Sequence, residues 1–443
     1  MATSLFSLSA HAAKEVFAHV IVGNLPNFTL SDWASDIHLA QSASISAFAL
    51  NIAAQDSCNE ATLDLAFQAA THLHFSLFFS FDYLAQGPWP KDRVISLIQK
   101  FSSSPAYFKH DGARPFVSTF EGPANAGDWE EIKQRTNAFF VPDWSSVGAD
   151  EASELAGGVA DGLFSFDAWP IGASNMTTEG DARFQEILRP KGKAYMMPVA
   201  PWFFTNLPGF RKNWLWRGDE LWDLRWRQVA EVQPDFVEIL TWNDYGESHY
   251  IGPVHEKELG LFTAANAPVN YAKDMSHDGW RKLLPFYIEM YRTGEVPMGF
   301  QEAIAAYYRT APALACPAGG TTGNINAFGE TEVPPEHLVE DSVFYAALLN
   351  SDQGVTVTVS IGGKHQVGGF NRVPAAGAGT PGVYMGSVPF GGNTGDVVVT
   401  VSRRHDPAWP RRRRAMIGIS NGAGWGISAP CDHLGISRTV QRS

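Results

Sequence analysis

Residues 236–247 of this chain read FVEILTWNDYGE, and this stretch decides the fold. Five of its first seven residues are apolar, and the run then breaks into a polar turn that carries two carboxylates, Asp244 and Glu247. A short apolar run that ends in turn residues is typical of a buried strand. The stretch therefore predicts a strand inside a sheet, with acid groups at its carboxyl end.

Seven earlier stretches have the same character, with short apolar runs rich in β-branched and aromatic residues. Together the eight predict strands at residues 16–23, 47–52, 75–82, 115–121, 138–144, 162–169, 194–202 and 236–242. Longer amphipathic segments alternate with them and predict helices at residues 31–42, 60–72, 91–101, 128–135, 149–157, 178–188, 218–232 and 278–292. This alternation is typical of α/β folds with a parallel sheet.

The number of strand–helix units distinguishes two α/β architectures. Eight strands, each followed by a helix, predict a (β/α)₈ TIM barrel rather than an open doubly wound sheet. An open nucleotide-binding sheet would be supported by a glycine-rich phosphate motif, but no GxGxxG follows the first strand and no Walker-type loop occurs. We therefore predict a barrel over residues 14–295.

The sequence changes character after the predicted barrel. Residues 300–443 are rich in Gly, Pro, Thr and Val, with short alternating runs at residues 303–309, 343–349, 355–361, 382–388 and 397–402. Turn signals separate these runs, so we predict a C-terminal β-sandwich domain. Four arginines at residues 411–414 suggest a nucleic-acid patch in isolation, but a net charge of −13 favours a solvated loop.

Composition excludes several classes of function. With 45% hydrophobic and 18% charged residues the chain is a typical globular protein, and its net charge of −13 argues against a nucleic-acid partner. No apolar run is long enough for a membrane helix, and the amino-terminal segment lacks the basic start and long apolar centre of a signal peptide. Cys58, Cys316 and Cys431 have no metal-like spacing, and Cys316 and Cys431 are the expected pair if one bridge forms. We expect a monomer with no metal or cofactor.

Acids and aromatic residues recur where the predicted strands end. In a barrel these ends meet on one face, where active sites lie. Carboxylates that bond hydroxyl groups and aromatic rings that stack on sugars suit a carbohydrate cleft, so a polysaccharide is the predicted substrate, although the 14 tryptophans also suit a bulky core. The candidate substrate-binding residues are Asn51, Tyr83, Glu121, Asp143, Trp144, Asp167, Trp169, Trp202, Trp242, Asn243 and Tyr245.

Asp244 and Glu247 are the predicted catalytic residues. An acid at a strand end often only caps the next helix, and residues 243–246 are a turn signal in their own right. Two carboxylates within four residues, however, repel each other when both are ionised, and this raises the proton affinity of one of them. Glycosidic cleavage needs such a pair, with one carboxyl protonated and the other ionised.

Seven motifs extend this interpretation along the chain. In order they are FAHVIVGN (17–24), FALNI (48–52), FFSFDY (78–83), FVSTFEG (116–122), FVPDW (140–144), MMPVAPWFFTNLP (196–208) and TWNDYGESHYIGP (241–253). In this order they resemble glycoside hydrolase family 71, the fungal endo-α-1,3-glucanases or mutanases. The resemblance covers residues 16–292 and extends more loosely into the C-terminal part.

The resemblance implies endo-acting hydrolysis of α-1,3-glucan with inversion, at the fungal cell wall or outside the cell. It also implies that Asp244 is the general base, that Glu247 is the general acid, and that Asp82 is a third acid that supports catalysis or binds the cleaved sugar. Two alternatives stay open: a non-catalytic glucan-binding wall protein on the same fold, and a glycosidase that cuts another linkage.

Overall fold

The computed structural model describes residues 14–57, 59–315, 333–403 and 413–417, and shows a mixed α/β fold. The strands up to residue 239 are β1 (Glu15–Ile21), β2 (Ala47–Ala53), β3 (Ser76–Asp82), β4 (Lys109–His110), β5 (Arg114–Phe120), β6 (Phe139–Phe140), β7 (Gly162–Phe164), β8 (Ala194–Val199), β9 (Phe203–Leu207), β10 (Lys212–Trp216) and β11 (Phe236–Ile239). Eight of these strands lie parallel in a curled sheet, in the order β6-β5-β3-β2-β1-β11-β8-β7. The short strand β4 adds antiparallel to β5, and β9 and β10 form a separate hairpin.

The two ends of the parallel sheet approach each other. Asp143, just beyond β6, forms an isolated parallel bridge with Phe164 of β7. The Asp161 N–H also donates to the Phe140 carbonyl at 2.8 Å. The sheet is thus curled far enough that its outermost strands exchange backbone hydrogen bonds.

The helices of this part are α1 (Leu30–Ser42), α2 (Asn59–Leu73), α3 (Lys91–Phe101), α4 (Asp128–Thr136), α5 (Gly148–Leu155), α6 (Glu179–Leu188), α7 (Leu221–Val232), α8 (Gly260–Ala264) and α9 (Asp278–Thr293). All eight predicted helices form, and only the short α8 was not predicted. Helix α1 shows why its start is readable in the sequence, since Thr29 and Asp32 form a capping box that satisfies free N–H groups of the first turn. Among the described residues, no helix combines the length and apolarity needed to cross a membrane.

Four predicted strands are too long by three residues or more, and one of them, β8, ends at Val199 instead of Trp202. Strands β6 and β7 have two and three residues, because Pro142 has no N–H for a ladder and Phe166 takes a left-handed φ of 48°. Strand β11 ends at Ile239, because the Thr241 N–H then bonds the His249 carbonyl and the chain turns back on itself.

Phenylalanine rings fill the interior of the curled sheet at the amino-terminal half of its strands. Phe17, Phe78, Phe116 and Phe236 come from four strands, and their ring centroids are 4.8 to 5.8 Å apart. Each ring is buried. These rings close this end of the sheet, and the acids lie at the opposite, carboxyl end of the strands.

Two small antiparallel sheets follow in the C-terminal part. Their strands are β12 (Ala303–Tyr307), β13 (Ser342–Leu349), β14 (Val355–Ile361), β15 (Lys364–Gly368), β16 (Gly382–Pro389), β17 (Val397–Arg403) and β18 (Arg413–Ile417). They are arranged as β12-β13-β16 and β15-β14-β17-β18. Tyr345, Val359 and Val399 from the two sheets share one apolar cluster, while Phe344 and Met385 on the other face of β13 and β16 join the core of the parallel sheet.

The prediction of a solvated loop at residues 411–414 is wrong for Arg413 and Arg414. These two residues begin β18, whose backbone pairs with β17. The strand lies at the edge of its sheet. The expected Cys316–Cys431 bridge, and Cys58, lie outside the described residues.

Candidate active site

The chain turns back on itself directly after β11, and residues 240–252, here called the acidic loop, carry both predicted catalytic carboxylates. The loop closes through hydrogen bonds from Ile251 N–H to the Thr241 carbonyl (2.9 Å) and from Gly252 N–H to the Trp242 carbonyl (2.8 Å). A Cβ at Gly252 would lie 2.6 Å from the Trp242 carbonyl oxygen and 2.7 Å from the indole. Only glycine therefore fits at this closure.

Hydrogen bonds inside the acidic loop fix the positions of the two acids. The Asp244 N–H donates to Thr241 Oγ1 at 2.8 Å, and the Glu247 N–H donates to Asp244 Oδ1 at 2.9 Å. The side chains of Asp244 and Glu247 are 14% and 17% exposed. The Asp244 carboxylate is thus held by the Glu247 N–H, and both acid side chains still reach the surface.

Two basic side chains contact the Glu247 carboxylate. Lys212 Nζ, from β10, lies 2.5 Å from Oε1, and His249 Nε2 lies 3.0 Å from Oε2. Burial alone would raise the pKa of Glu247, but Lys212 and His249 lower this pKa to about 2. Glu247 is therefore ionised in the free protein.

Asp244 has the opposite electrostatic environment. Burial raises the pKa of its carboxyl, the charge of Glu247 raises it further, and His249 Nε2 is 4.0 Å away. The Asp244 and Glu247 carboxylate oxygens lie within 4.8 Å of each other. The pair thus consists of one ionised carboxylate and one carboxyl that holds a proton more tightly than a free aspartate does.

Asp244, Glu247 and His249 also have a spacing that a metal ion could use. Lys212 Nζ, however, already donates to Glu247 Oε1 and supplies the positive charge there. A metal ion would have to compete with this ammonium group. The absence of a metal from the mechanism remains a prediction.

The third predicted acid, Asp82, ends β3 on the same edge of the sheet. Its Oδ1 accepts the N–H groups of Leu84 and Ala85, both at 2.8 Å. The charge of Glu247 raises the pKa of Lys212 most, and Asp244 and Asp82 add to this effect. Asp82 therefore acts on Lys212, the cation that contacts Glu247.

Glu121 and Asp143 hold the turn after β6. Glu121 Oε1 accepts the Ser146 N–H at 3.1 Å, and Asp143 Oδ1 accepts the Ser145 N–H at 3.0 Å and the Ser145 hydroxyl at 2.6 Å. Burial raises the pKa of both acids. These contacts match the capping role that an acid at a strand end often has.

Several predicted substrate-binding residues are built into the wall of the site. The Asn243 side-chain N–H donates to the Ile21 carbonyl at 2.9 Å, and its Oδ1 accepts the Ile21 N–H at 2.8 Å. The indole N–H of Trp169 donates to the Trp202 carbonyl, and the indole N–H of Trp202 donates to the Ser248 carbonyl. The remaining buried members of this set are Asn51, Tyr83, Trp144, Trp242 and Tyr245. Asp167 is exposed, near the start of α6. Binding of sugar by these residues remains a prediction.

Sequence reasoning missed the hairpin that supplies Lys212. FFTNL (Phe203–Leu207) and KNWLW (Lys212–Trp216) are short apolar and aromatic runs separated by Pro208-Gly209, which is a usable hairpin signal. It also missed the half-buried Phe120 and Phe166, whose rings lie 4.7 Å apart at the ends of β5 and β7. Positive φ angles at Glu121 and Phe166 mark strained backbone beside these rings, which is common at binding sites.

Comparison with known proteins identifies the family of this chain. The sequence profile of glycosyl hydrolase family 71 matches residues 12–414. The chain is 36% identical to a mutanase from Penicillium rubens, over 78% of this chain and 74% of that protein. It is 33% identical to a glucan endo-1,3-alpha-glucosidase from Schizosaccharomyces pombe (82% and 84% covered) and 28% identical to the ascus wall endo-1,3-alpha-glucanase of that organism (79% and 82% covered). These matches confirm the resemblance: the chain belongs to glycosyl hydrolase family 71 and is a glycoside hydrolase.

Proposed function

We propose that this protein is an endo-acting hydrolase of α-1,3-glucan whose catalytic carboxyls are Asp244 and Glu247. The observation that carries the proposal is the acid pair itself, whose oxygens lie within 4.8 Å and whose neighbours give the two groups opposite pKa shifts. Glycosidic cleavage requires one carboxyl with a proton and one without. The names of the relatives support α-1,3-glucan as the substrate.

A (β/α)₈ barrel with a C-terminal β-sandwich is the architecture we propose for this enzyme. The backbone bonds between the two ends of the parallel sheet support the barrel, and the apolar cluster shared by the two small sheets supports the sandwich. In a barrel, Asn51, Asp82 and Phe120 on neighbouring strands face the same open end as the acid pair. Asp82 then lines the sugar-binding cleft as a third acid.

Family resemblance supports Asp244 as the general base and Glu247 as the general acid. In the free enzyme the electrostatics instead favour a proton on Asp244 over one on Glu247, because burial raises the pKa of Asp244 while Lys212 keeps Glu247 ionised. Glu247 can donate a proton to the leaving oxygen only after its contact with Lys212 is broken. Asp244, relieved of repulsion when Glu247 takes up a proton, can then ionise and accept a proton from the attacking water.

Substrate specificity tests the proposal directly. The purified protein is incubated separately with insoluble α-1,3-glucan, α-1,4-glucan and β-1,3-glucan, and reducing ends are measured. We expect release from α-1,3-glucan alone, as oligosaccharides of mixed length, because an endo-acting enzyme cuts within the chain. Release from another glucan, or only monosaccharide from α-1,3-glucan, would contradict the assignment.

The stereochemical course is a separate prediction. We propose inversion on the strength of the family resemblance, although oxygens within 4.8 Å are closer than the roughly 6.5 to 9.5 Å usual between the carboxyls of inverting enzymes. Proton NMR during the first minutes of hydrolysis identifies the anomer that is released first. We expect the β-anomer, and an α-anomer would show retention.

A further inference from the structure

The Lys212 ammonium group forms an ion pair with one of the two carboxylate oxygens of Glu247. Lys212 Nζ contacts Oε1 at 2.5 Å and His249 Nε2 contacts Oε2 at 3.0 Å. A carboxyl that protonates a leaving oxygen or activates water must bring one oxygen within hydrogen-bond reach of it. Each oxygen can accept a second hydrogen bond, but an adjacent cation opposes the protonation that a general acid needs, so at least one of the two contacts must weaken when substrate binds.

The two partners of Glu247 differ in how easily they can move. The His249 ring is 1% exposed, lies 5.5 Å from the Phe203 ring at an interplanar angle of 24°, and contacts Trp169. The Lys212 side chain is 37% exposed and has a long flexible stem. It is also the first residue of β10, next to the hairpin turn. Lys212 is the partner that an entering sugar can displace.

We propose that Lys212 is a positioning residue that holds the Glu247 carboxylate in the free enzyme and is displaced from Oε1 by the entering glucan chain. The inference rests on the proposed catalytic role of Glu247. It makes the hairpin of β9 and β10 a part of the active site, because the hairpin supplies the cation that must leave before the carboxyl can react.

The charged and titratable groups around Glu247 come from four parts of the chain: the hairpin of β9 and β10, the acidic loop, the end of β3, and the segment after α8 that contains Tyr271. Lys212 comes from the hairpin, Asp244 and His249 come from the acidic loop, and Asp82 at the end of β3 acts on Lys212. The Tyr271 hydroxyl donates to the Gly246 carbonyl at 2.6 Å. After burial, the charge of Lys212 is the largest influence on Glu247. Its removal therefore raises the pKa of Glu247, so the carboxyl keeps its proton to higher pH.

The test compares Lys212→Met, which keeps the stem and removes the charge, with Lys212→Arg and with Arg211→Met. Arg211→Met removes one exposed positive charge from the same hairpin. The pH profile of kcat/KM is measured on soluble α-1,3-linked oligosaccharides, and thermal unfolding checks the fold of each variant. We expect the profile of Lys212→Met alone to move to higher pH by roughly one unit or more, with no increase in KM.

A second readout needs no turnover. A carbodiimide activates protonated carboxyls, which then form amides with an added small amine. Peptide mass spectrometry measures the fraction of Glu247 that carries the amine as a function of pH. We expect the midpoint at Glu247 to rise in Lys212→Met and to stay unchanged in Arg211→Met. If Lys212→Met changes neither the coupling midpoint at Glu247 nor the pH profile of kcat/KM, the inference is overturned. A several-fold rise in KM for Lys212→Met also overturns it, because Lys212 would then be a sugar-binding residue. A wild-type protein that cuts no α-1,3-glucan while the midpoint still shifts would instead contradict the proposed function.

Discussion

The pKa values of Asp244 and Glu247 are shifted in opposite directions, and the largest charge effect on Glu247 comes from a side chain that the local sequence does not reveal. The pair and its spacing can be seen in FVEILTWNDYGE, and mutual repulsion predicts that one of the two holds a proton. Which one holds it depends on Lys212, which lies 35 positions earlier and reaches Glu247 only through the folded hairpin. The pair could therefore be predicted from the sequence, whereas its charge distribution could not.

Thr241 provides a test of how the acid pair is held. Its Oγ1 accepts the Asp244 N–H at 2.8 Å, and the residue is buried. Thr241→Val keeps the shape but leaves this N–H without its partner, at a cost of about 1 to 3 kcal/mol in the free energy of unfolding. We also expect a lower kcat, because Asp244 loses its fixed position.

Thr241→Ser is the matched control for this change, because it keeps the hydroxyl oxygen. Chemical denaturation and initial rates on α-1,3-glucan measure the two effects. Equal stability and equal rates for the Val and Ser variants would show that this hydrogen bond does not position Asp244.

At the level of elements, the regular helices and long strands are readable from the sequence, and the irregular connections are not. Amphipathic periodicity together with helix-start signals predicts the eight longer helices. Strands β6 and β7 stop early at Pro142 and near Phe166, where backbone geometry overrides an apolar run that continues. The acidic loop is bonded to itself rather than extended as a strand, which depends on contacts such as that of Gly252 with Trp242.

Gly252 gives the prediction for the acidic loop. A methyl group there would meet the Trp242 backbone and indole at 2.6 to 2.7 Å, and neither can move freely because Trp242 is buried and bonds Asp36. We expect Gly252→Ala to lower the free energy of unfolding by about 1 to 3 kcal/mol and to reduce activity further by shifting the acids.

Gly260→Ala is a suitable control for Gly252→Ala, because a Cβ at Gly260 meets nothing within 4 Å. Urea denaturation and rates on α-1,3-glucan compare the two variants. If both alanines have the same small effect, the close packing at Gly252 does not shape the acidic loop.

At the scale of the whole molecule, the C-terminal sheets are joined to the parallel-sheet part through a shared core. The sheet of β12, β13 and β16 is buried on both faces, and Tyr307 of β12 donates to the Asp219 carbonyl at 2.8 Å. Just beyond β12, the buried Arg309 forms an ion pair with Asp219 and lies 5.0 Å from the Trp202 ring. This part of the chain therefore packs against Trp202 in the candidate active site, a contact that the sequence pattern did not indicate.

Arg309 tests this connection. Arg309→Met leaves the buried Asp219 carboxylate without its cation, and loss of one partner of a buried pair typically costs about 3 to 5 kcal/mol. Arg183→Met, which removes an exposed ion pair with Asp150, is expected to change the free energy of unfolding far less. Denaturant titration measures both, and equal effects would mean that Arg309 adds nothing beyond a surface contact.

Catalysis by the acid pair is the central claim, and the release of reducing sugar from insoluble α-1,3-glucan tests it most directly. Wild type is compared with Asp244→Asn, Glu247→Gln and the control Asp64→Asn, which alters an exposed carboxylate on α2. We expect each acid variant to lose about 100-fold or more in rate while it keeps the wild-type fold, and Asp64→Asn to match wild type. Equal sugar release by wild type and both acid variants would contradict the claim.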